Sequence, residues 1–379
     1  MIKNLKLTGF RNYTNENLDI NKNIVVLYGN NGSGKTNILE AISVLADGKG
    51  FKKATADCLI NKHANKKTWS IDITFDKQQI TACYEHENKT GKRVYKIDGE
   101  IVKNLNEFRK NVHIVWLTYE SDRLFLQAPA CRRDFIDMLC NVTDAEHITY
   151  LKSYEKLIRE RMNVLKDNYN EQSEETSKCL DVLEAQICEA GLKVAQNRIK
   201  TVRELEEYQL VSAYFPKFAN KMIGTLESEV LEVSDENNVL EMYKSALKER
   251  RVKDSVSGST TLGVNRSDWL VNNLDKDIDA VQCSAGEQKI LLTGIFLSFI
   301  TNKIKNNNWI ILLDDVTAHL DETYTTILLK YVKDFAKNNH DKINIWLSGA
   351  SRNIFSALGD QAQYFEIDNG KVSEKGRWL

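Results

Sequence analysis

A glycine-rich octapeptide near the start of the sequence constrains the fold more than any other feature. Residues Gly29 to Thr36 read GNNGSGKT and fit the pattern GxxxxGK[ST]. The continuous apolar run from Ile24 to Tyr28 before it predicts a strand that is buried on both faces. After it, apolar residues recur at helical spacing between Ile38 and Leu45. A strand, this loop and a helix in that order are the context that a phosphate-binding loop requires.

The loop predicts how a nucleoside triphosphate would be held. Its backbone N–H groups and the helix N-terminus suit phosphate oxygens. Lys35 would supply a positive charge to the β- and γ-phosphates, and the Thr36 hydroxyl would ligate Mg²⁺. The alternative is a glycine-rich turn that contains Lys and Thr by chance. The predicted nucleotide-binding residues of this segment are Gly29, Asn30, Asn31, Gly32, Ser33, Gly34, Lys35, Thr36 and Asn37.

A second apolar run ends in two carboxylates. Ile310 to Leu313 predicts a buried strand, which is followed directly by Asp314 and Asp315. Together with the loop, this pattern predicts that Asp314 joins the Mg²⁺ shell and that Asp315 orients the attacking water as a general base. Lys35 and Asp315 are therefore the predicted catalytic residues. Two acids that simply end a strand are the alternative.

The hydrophobic period changes along the chain. Residues 69–75 alternate apolar and polar side chains, and Asp98-Gly99 is a hairpin signal, so the first third predicts an antiparallel meander beside a parallel sheet. Between Ile148 and Val194, apolar residues recur at spacings of three and four on either side of a polar stretch, Asp167 to Lys178. This middle third predicts two helices joined by a loop.

The segment Cys283 to Gln288 reads CSAGEQ and precedes an apolar helical run. Ser284 with Glu287 three residues later predicts a capping box, and a capped helix is the plain interpretation. Ser284 to Gln288 also fits the SxGxQ part of the signature [LS]SxGxQ of ABC-type ATPases, with Cys283 at its first position. Ala318 to Asp321 occupies the D-loop position after Asp314 and Asp315. The four motifs in this order resemble the ABC ATPase superfamily, in its SMC-like branch.

Further segments are similar to one family of that branch, RecF. The opening L-x-x-F-R-N-Y, the GKTNILEAI around the loop and the segment P-A-C-R-R-D-F-I-D resemble that family. The matching segments are Leu7–Tyr13, Gly34–Ile42, Pro129–Asp137, Glu189–Arg198 and Leu312–Asp321. Departures are Tyr119, Gln127, Val264 and Asn265, which stand where a Pro, a Gly, a Pro and a His are usual. Arg266 and Asp268 beside them could pair with each other, face the nucleotide or form a surface salt bridge. Ser348-Gly349 stands where other ABC ATPases carry a switch histidine.

The resemblance implies an α/β fold, the ABC/SMC-like ATPase head. Lobe I, residues 1–120 and 300–379, would hold a mixed sheet and the antiparallel meander. Lobe II, residues 121–299, would be mainly helical, with a short helical hairpin and the signature near its end. ATP and Mg²⁺ are the implied cofactors, with Arg11 and Asn12 also at the nucleotide. Ser284, Gly286 and Gln288 would complete the site of a second copy, and Asp321 would serve in the D-loop.

The resemblance also implies a function in recombinational gap repair and replication. An ATP-gated homodimer would bind junctions of single- and double-stranded DNA without sequence specificity, and would assist RecA loading with RecO and RecR. The implied activity is a weak, DNA-stimulated ATPase. Asp315 stands where many ABC ATPases carry Glu and is one methylene shorter, so we expect slow hydrolysis. The alternatives are an ATPase subunit of another ABC system, such as a transporter, and a DNA-binding module whose ATPase has decayed.

Composition limits the partners. Fifty-two Lys and Arg against 53 Asp and Glu give a net charge of -1, which excludes a generally basic DNA coat but not a local basic patch. Clusters that could face DNA, or equally form a solvated surface, include Lys52, Lys53, Arg132, Arg133, Arg250 and Arg251, with Arg159, Arg161, Lys248 and Lys253 as further candidates. Without an apolar run of about 18 residues or a signal-peptide h-region, we expect no membrane partner and a cytoplasmic location. Seven scattered Cys without a CxxC pair argue against a disulfide scaffold or a zinc cluster.

Overall fold

A computed structural model describes the chain except residues 48–49, 64–66, 88–89, 168–172, 210–214, 225, 227–234, 305–306 and 377–379. The chain divides into two compact units. The first comprises Met1–Asp122 and Thr301–Leu379, and the second comprises Arg123–Ile300.

The strands and helices of the described residues have the following bounds. The strands are β1 Ile2–Phe10, β2 Tyr13–Asp19, β3 Ile24–Tyr28, β4 Trp69–Phe75, β5 Gln78–Glu87, β6 Thr90–Ile97, β7 Glu100–Val102, β8 Val112–Leu117, β9 Phe218–Ile223, β10 Asp268–Asn273, β11 Ile278–Asp279, β12 Asn308–Leu313, β13 Ile343–Gly349, β14 Ala362–Asp368 and β15 Lys371–Lys375. The helices are α1 Lys35–Asp47, α2 Asn106–Asn111, α3 Pro129–Thr143, α4 His147–Asp167, α5 Glu174–Glu207, α6 Glu236–Glu249, α7 Arg251–Ser257, α8 Ala285–Lys303 and α9 Glu322–Asn338.

The first unit contains a sheet of mixed direction, in the order β15-β14-β3-β13-β12-β8. Strands β14, β3, β13, β12 and β8 are parallel, and β15 pairs antiparallel with β14. All five residues of β3 are buried, which confirms the strand predicted from its apolar run. Since β3, β13 and β12 run parallel and β13 lies between the other two, the loops that follow these strands leave the same edge of the sheet. Ligands bind at such carboxyl edges in open α/β sheets.

The predicted meander is confirmed as an antiparallel sheet in the order β2-β1-β4-β5-β6-β7. Strand β4 alternates buried and half-buried residues. Asp98 and Gly99 both have positive φ, 52° and 86°, as the two-residue hairpin between β6 and β7 requires. The inner face of this sheet, α1 and one face of the mixed sheet share a continuous apolar core.

The second unit is mainly helical and contains the predicted hairpin, formed by α4 and α5. The predicted loop was too long, because residues from Glu174 onward are already helical. Ser173 caps this helix by accepting a hydrogen bond from the Thr176 N–H (3.1 Å). The first turns of α5 are largely exposed, so they carry no apolar period. This unit also contains a three-stranded antiparallel sheet, β11-β10-β9, which was not predicted from the sequence.

Among the described residues, no helix combines the length and the apolar character needed to cross a bilayer.

Candidate nucleotide-binding site

The glycine-rich loop joins β3 to α1, as predicted, and closes on itself. The Lys35 ammonium donates to the carbonyls of Gly29 (2.8 Å) and Asn30 (2.9 Å). Gly29 and Gly34 have φ of 151° and 121°, a region that side chains rarely adopt. The Gly34 carbonyl accepts hydrogen bonds from the Asn37 and Ile38 N–H groups, which starts the helix. The loop therefore curls around the N-terminus of α1, where anions are favoured.

The turn between β1 and β2 holds this loop from outside. Asn12 Nδ2 donates to the Ser33 carbonyl (2.9 Å), and the Tyr13 hydroxyl donates to the Gly34 carbonyl (2.9 Å). A Cβ on Gly34 would lie 2.4 Å from Asn12 Nδ2, so glycine is required there. Asn12 Oδ1 also accepts a hydrogen bond from Asn37 Nδ2 (2.8 Å). Through these contacts, the side chain of Asn12, a predicted nucleotide-binding residue, braces the glycine-rich loop.

Arg11 makes a comparable contact with helix α1. Its Nε donates to Glu40 Oε2 (2.9 Å) and its Nη2 to Glu40 Oε1 (2.5 Å), while Nη1 donates to the Cys58 carbonyl (3.0 Å). Glu40 is fully buried. The guanidinium thus pairs with a buried carboxylate and braces helix α1, and the contact of Arg11 with a nucleotide stays a prediction.

The two acids after β12 meet the loop at the carboxyl edge of the mixed sheet. Thr36 Oγ1 donates to Asp314 Oδ1 (3.0 Å), and the Ser348 hydroxyl donates to the same oxygen (2.6 Å). The Asp315 N–H donates to Ser348 Oγ (2.9 Å), and Asp315 has φ of 57°. The predicted metal ligands, Thr36 and Asp314, are therefore brought together although 278 positions separate them.

Burial, hydrogen bonding and neighbouring charges shift the pKa values of two groups in this site. Burial raises the pKa of the Asp314 carboxyl, against the hydrogen bonds from Ser348 and Thr36, which lower it. Burial lowers the pKa of the Lys35 ammonium, against the attraction of Asp315 and Asp314, which raises it. The net shift of each pKa reflects the free-energy cost of burying a charged group. A bound ion of opposite charge would reduce that cost.

A cavity of about 290 Å³ opens between these groups. Such a volume is at the lower end of ordinary ligand sites. It is lined by Asn31, Gly32, Lys35, Thr36, Phe51, Lys52, Thr118, Tyr119, Glu120, Asp314 and Asp315. A hydroxyl and carboxylates are the hard oxygen donors that Mg²⁺ prefers, and the lysine with the helix N-terminus suits phosphates. The residues present therefore fit a magnesium-bound nucleoside triphosphate.

Lys52 belongs to this cavity. Its ammonium donates to Asn37 Oδ1 (3.1 Å) and lies 3.5 Å from Glu40 Oε2. Lys52, which was predicted to face DNA, therefore lies at the rim of the nucleotide site. Its neighbour Lys53 is exposed and has φ of 50°.

The signature segment lies in the second unit, at the start of α8. The predicted capping box is confirmed, because the Ser284 N–H donates to Glu287 Oε2 (2.8 Å) and the Glu287 N–H approaches Ser284 Oγ (3.4 Å). Ser284 is exposed, and a Cβ on Gly286 would meet no atom within 4 Å. Lys276, which contacts the Glu287 carboxylate, and the Ser284 N–H lower the pKa of Glu287 to about 2.

Two predicted signature and D-loop residues make internal contacts. Gln288 is buried, and its Nε2 donates to the Cys283 carbonyl (2.9 Å), so its side chain braces the segment before the helix and is not presented outward. Asp321 is the N-cap of α9, where Oδ1 accepts a hydrogen bond from the Tyr324 N–H (2.8 Å).

Several predicted DNA-facing cations turn inward within the second unit. Arg132 is buried and forms two hydrogen bonds with Asp268, both 2.7 Å. Arg161 is fully buried against Glu184 (2.9 Å) and Asp254 (2.7 Å). These long-range pairs give Arg132 and Arg161 structural roles and leave little or none of either side chain exposed for the predicted contact with DNA.

Other cations of the same prediction are only partly exposed. Arg251 donates to Glu184 and Asp181, and Arg133 donates to the Ser267 carbonyl (2.7 Å). Arg250 is half-buried at the end of α6. Arg251, which was predicted to face DNA, is thereby paired with two carboxylates of its own unit.

Arg266 and Asp268 do not pair with each other. Arg266 donates to the Thr260 carbonyl (3.0 and 3.1 Å) and to Ser259 Oγ (3.1 Å), whereas Asp268 binds Arg132. The Asn265 that replaces the usual His accepts a hydrogen bond from the Tyr154 hydroxyl (3.1 Å). The Arg266 side chain thus binds residues of the loop in which it lies.

Several residues of the site had no role predicted from the sequence, among them Tyr13, Glu40, Glu120 and Ser348. Tyr13 stood inside the quoted FRNY motif, and Ser348 was noted only as the absence of a histidine, so both were visible without an assigned role. Glu120 lines the cavity from the end of β8, a strand that was not predicted. A carboxylate after an apolar run is the signal that could have found it.

The chain is similar in sequence to proteins of a known family. The profile of the RecF/RecN/SMC N terminal domain matches residues 1–346. The chain is 30% identical over 380 residues to the DNA replication and repair protein RecF of Rhizobium etli, covering 98% of both chains. It is 32% identical over 382 residues to the RecF of Mesorhizobium japonicum, covering 98% of this chain and 97% of that protein.

Solved structures agree on the fold. A structure described as the recombination mediator protein RecF with an ATP analogue in the RecFOR pathway superposes with a TM-score of 0.82 at 22% identity, covering 99% of this chain and 98% of the other. The Smc head domain of Pyrococcus furiosus superposes with a TM-score of 0.54 at 17% identity, covering 99% and 96%. These similarities confirm the predicted α/β ATPase head, and at such identities they extend to the fold alone.

Proposed function

The chain belongs to the RecF family, within the RecF/RecN/SMC N-terminal domain proteins, and from this premise we propose that it is an ATP-gated DNA-binding protein of replication and recombinational gap repair. The observation that carries the proposal is the contact of Thr36 with Asp314, which joins the glycine-rich loop to the acidic strand end. Its relatives are named for DNA replication and repair.

The nucleotide part of the proposal assigns roles to the chain's own groups. The N–H groups of the loop and the Lys35 ammonium bind the triphosphate, and Thr36 with Asp314 holds Mg²⁺. When bound, Mg²⁺ neutralises negative charge on the β- and γ-phosphate oxygens. Asp315 orients the attacking water and accepts its proton. Because Asp is one methylene shorter than Glu, hydrolysis is slow, well below the ordinary enzyme median of about 10 per second.

The dimer part of the proposal rests on the signature segment. Ser284 and Gly286 lie at the exposed N-terminus of α8, an end that favours anions. In the proposed homodimer, this helix end of one copy meets the γ-phosphate held by the other. ATP then joins two copies and its hydrolysis releases them.

The DNA part concerns the phosphate backbone. Two copies of a cationic face would line one groove at a junction of single- and double-stranded DNA, with affinity that falls as salt rises. Lys53 and Arg250 are candidate contacts from the predicted set. Arg133 is a further candidate, although one nitrogen of its guanidinium donates to the Ser267 carbonyl. Assistance of RecA loading with RecO and RecR, and stimulation of the ATPase by DNA, complete the proposal.

The experiment is to measure the mass in solution, by light scattering, of the hydrolysis-blocked variant Asp315→Asn with and without Mg-ATP. Gapped duplex DNA is then titrated under both conditions. We expect a shift from one to two chains with ATP, and tighter DNA binding in the same condition. The double variant Lys35→Ala/Asp315→Asn is the matched control and should stay monomeric. A protein that binds ATP but never pairs would contradict the dimer.

A further inference from the structure

Strand β13 occupies the central position of the candidate site. It pairs with β3 on one side and with β12 on the other. At its carboxyl end, the Gly349 carbonyl accepts a hydrogen bond from the Gly29 N–H of the loop (3.3 Å). The adjacent Ser348 is completely buried. One end of a single strand therefore contacts both halves of the nucleotide site.

The Ser348 hydroxyl makes two hydrogen bonds in opposite senses. It donates its proton to Asp314 Oδ1 (2.6 Å) and accepts from the Asp315 N–H (2.9 Å). A hydroxyl carries one proton and two lone pairs, so both bonds form together. Asp314 Oδ1 also accepts the Thr36 hydroxyl (3.0 Å). Because both hydroxyls bind Oδ1, they restrict the rotation of the Asp314 carboxylate.

The second bond acts on the backbone. Asp315 adopts the left-handed conformation, with φ of 57°, which residues with a Cβ adopt at a cost. Its N–H bond to Ser348 compensates this conformation, as does the Ala318 N–H, which donates to the Asp315 carbonyl (3.0 Å). Since the turn decides where the Asp315 side chain points, the hydroxyl fixes the direction of the proposed general base as well.

We propose that Ser348 is the positioning residue of the nucleotide site, which sets the Asp314 carboxylate and the Asp315 turn through one hydroxyl. This proposal rests on the proposed nucleotide function and deepens it. Ser348 acts through the two acids and touches neither phosphate nor water. Loss of the Ser348 hydroxyl should therefore lower kcat and raise the Mg²⁺ concentration that ATP binding requires. The contacts that the loop makes with ATP should remain.

The test compares Ser348→Ala with Ser348→Thr, which keeps the hydroxyl. For Ser348→Ala we expect kcat to fall about tenfold or more, as for loss of a charge-assisted hydrogen bond, while KM stays within about twofold. The Mg²⁺ concentration that half-saturates ATP binding, measured by calorimetry, should rise several-fold. Ser348→Thr should restore both quantities to within about threefold.

A matched control exists elsewhere in the same unit. Asp72 also accepts two hydroxyl bonds, from Ser70 (2.9 Å) and Thr81 (2.6 Å), on strands β4 and β5. Ser70→Ala removes a serine-to-aspartate bond outside the nucleotide site, so we expect kcat and the Mg²⁺ requirement to stay at wild-type values. Thermal unfolding of each variant shows whether it is folded at the assay temperature.

The outcomes separate this proposal from the proposed function. A folded Ser348→Ala protein with wild-type kcat and Mg²⁺ requirement overturns the role of Ser348, as does a Ser348→Thr protein that is as impaired as the alanine variant. If wild-type hydrolysis does not depend on Lys35, the proposed ATPase fails instead. In that case, the Mg²⁺ titration of ATP binding still tests the positioning role of Ser348. An unchanged Mg²⁺ requirement in Ser348→Ala refutes that role, and a raised requirement supports it.

Discussion

The ion pair between Arg11 and Glu40 gives the sharpest test of how the loop is held. Glu40 is fully buried and Arg11 is about a quarter exposed, at 24%. Arg11→Ala leaves the carboxylate with Lys52, 3.5 Å away, as its nearby cation. Breaking a buried pair costs about 3–5 kcal/mol. Because Lys52 remains and Arg11 is partly solvated, we expect the low end, about 3 kcal/mol.

The assay is urea and thermal denaturation combined with a double-mutant cycle. For a unit of about 200 residues, a loss of 3 kcal/mol corresponds to a fall in Tm of about 6–12 °C. Arg11→Ala and Glu40→Ala should be coupled by about 2 kcal/mol or more, so the double variant loses less than the sum. Lys110→Ala, which removes an exposed pair with Glu107, is the control and should change stability by less than about 1 kcal/mol.

ATP affinity separates bracing from direct nucleotide contact. If Arg11 braces the loop through Glu40, the loss of affinity in Arg11→Ala should be no greater than in Glu40→Ala, and the double variant should add little. An Arg11→Ala protein with wild-type stability, near-zero coupling to Glu40 and strongly weakened ATP binding would refute the bracing role and restore the predicted nucleotide contact.

Three further predictions follow from single contacts. Gly34→Ala should weaken ATP binding more than about tenfold by calorimetry, because its Cβ would meet Asn12 Nδ2 at 2.4 Å in a backbone with φ of 121°; binding at the wild-type affinity would contradict the loop geometry. Burial lowers the pKa of His113 to about 4, below its ordinary value of 6.5. The neutral ring therefore stabilises the fold fully above pH 6.5, and this contribution is lost as the pH falls towards 4. The loss is about 2 kcal/mol by pH 5 and should be absent from His113→Phe in urea denaturation at pH 7 and 5; equal pH dependence of both proteins would be the opposing result. Arg132→Ala should lower stability by about 3 kcal/mol through the loss of its bond to Asp268, but leave the DNA affinity of the folded protein within about twofold by fluorescence anisotropy; a large selective loss of DNA binding would return Arg132 to the DNA interface.

Local patterns account for what could be predicted. The buried strand β3, the loop and α1 follow one another in the chain, so their hydrophobic period and glycine spacing were sufficient. The alternation in β4 and the turn at Asp98-Gly99 depend in the same way on near neighbours. The three-stranded sheet of the second unit was missed because β11 is only two residues long and β9 is separated from β10 along the chain by helices α6 and α7.

The sequence by itself determined which groups are present for nucleotide chemistry: the glycine-rich loop, Lys35, Thr36 and the two acids. Only the tertiary structure decided which charged and polar groups meet. Asp314 finds Ser348 34 positions away, and Arg132 finds Asp268 across 136 positions. The physical reason is that a cation in a sequence has many possible carboxylate partners, and the cost of burying it unpaired selects one only after the fold has decided what is buried.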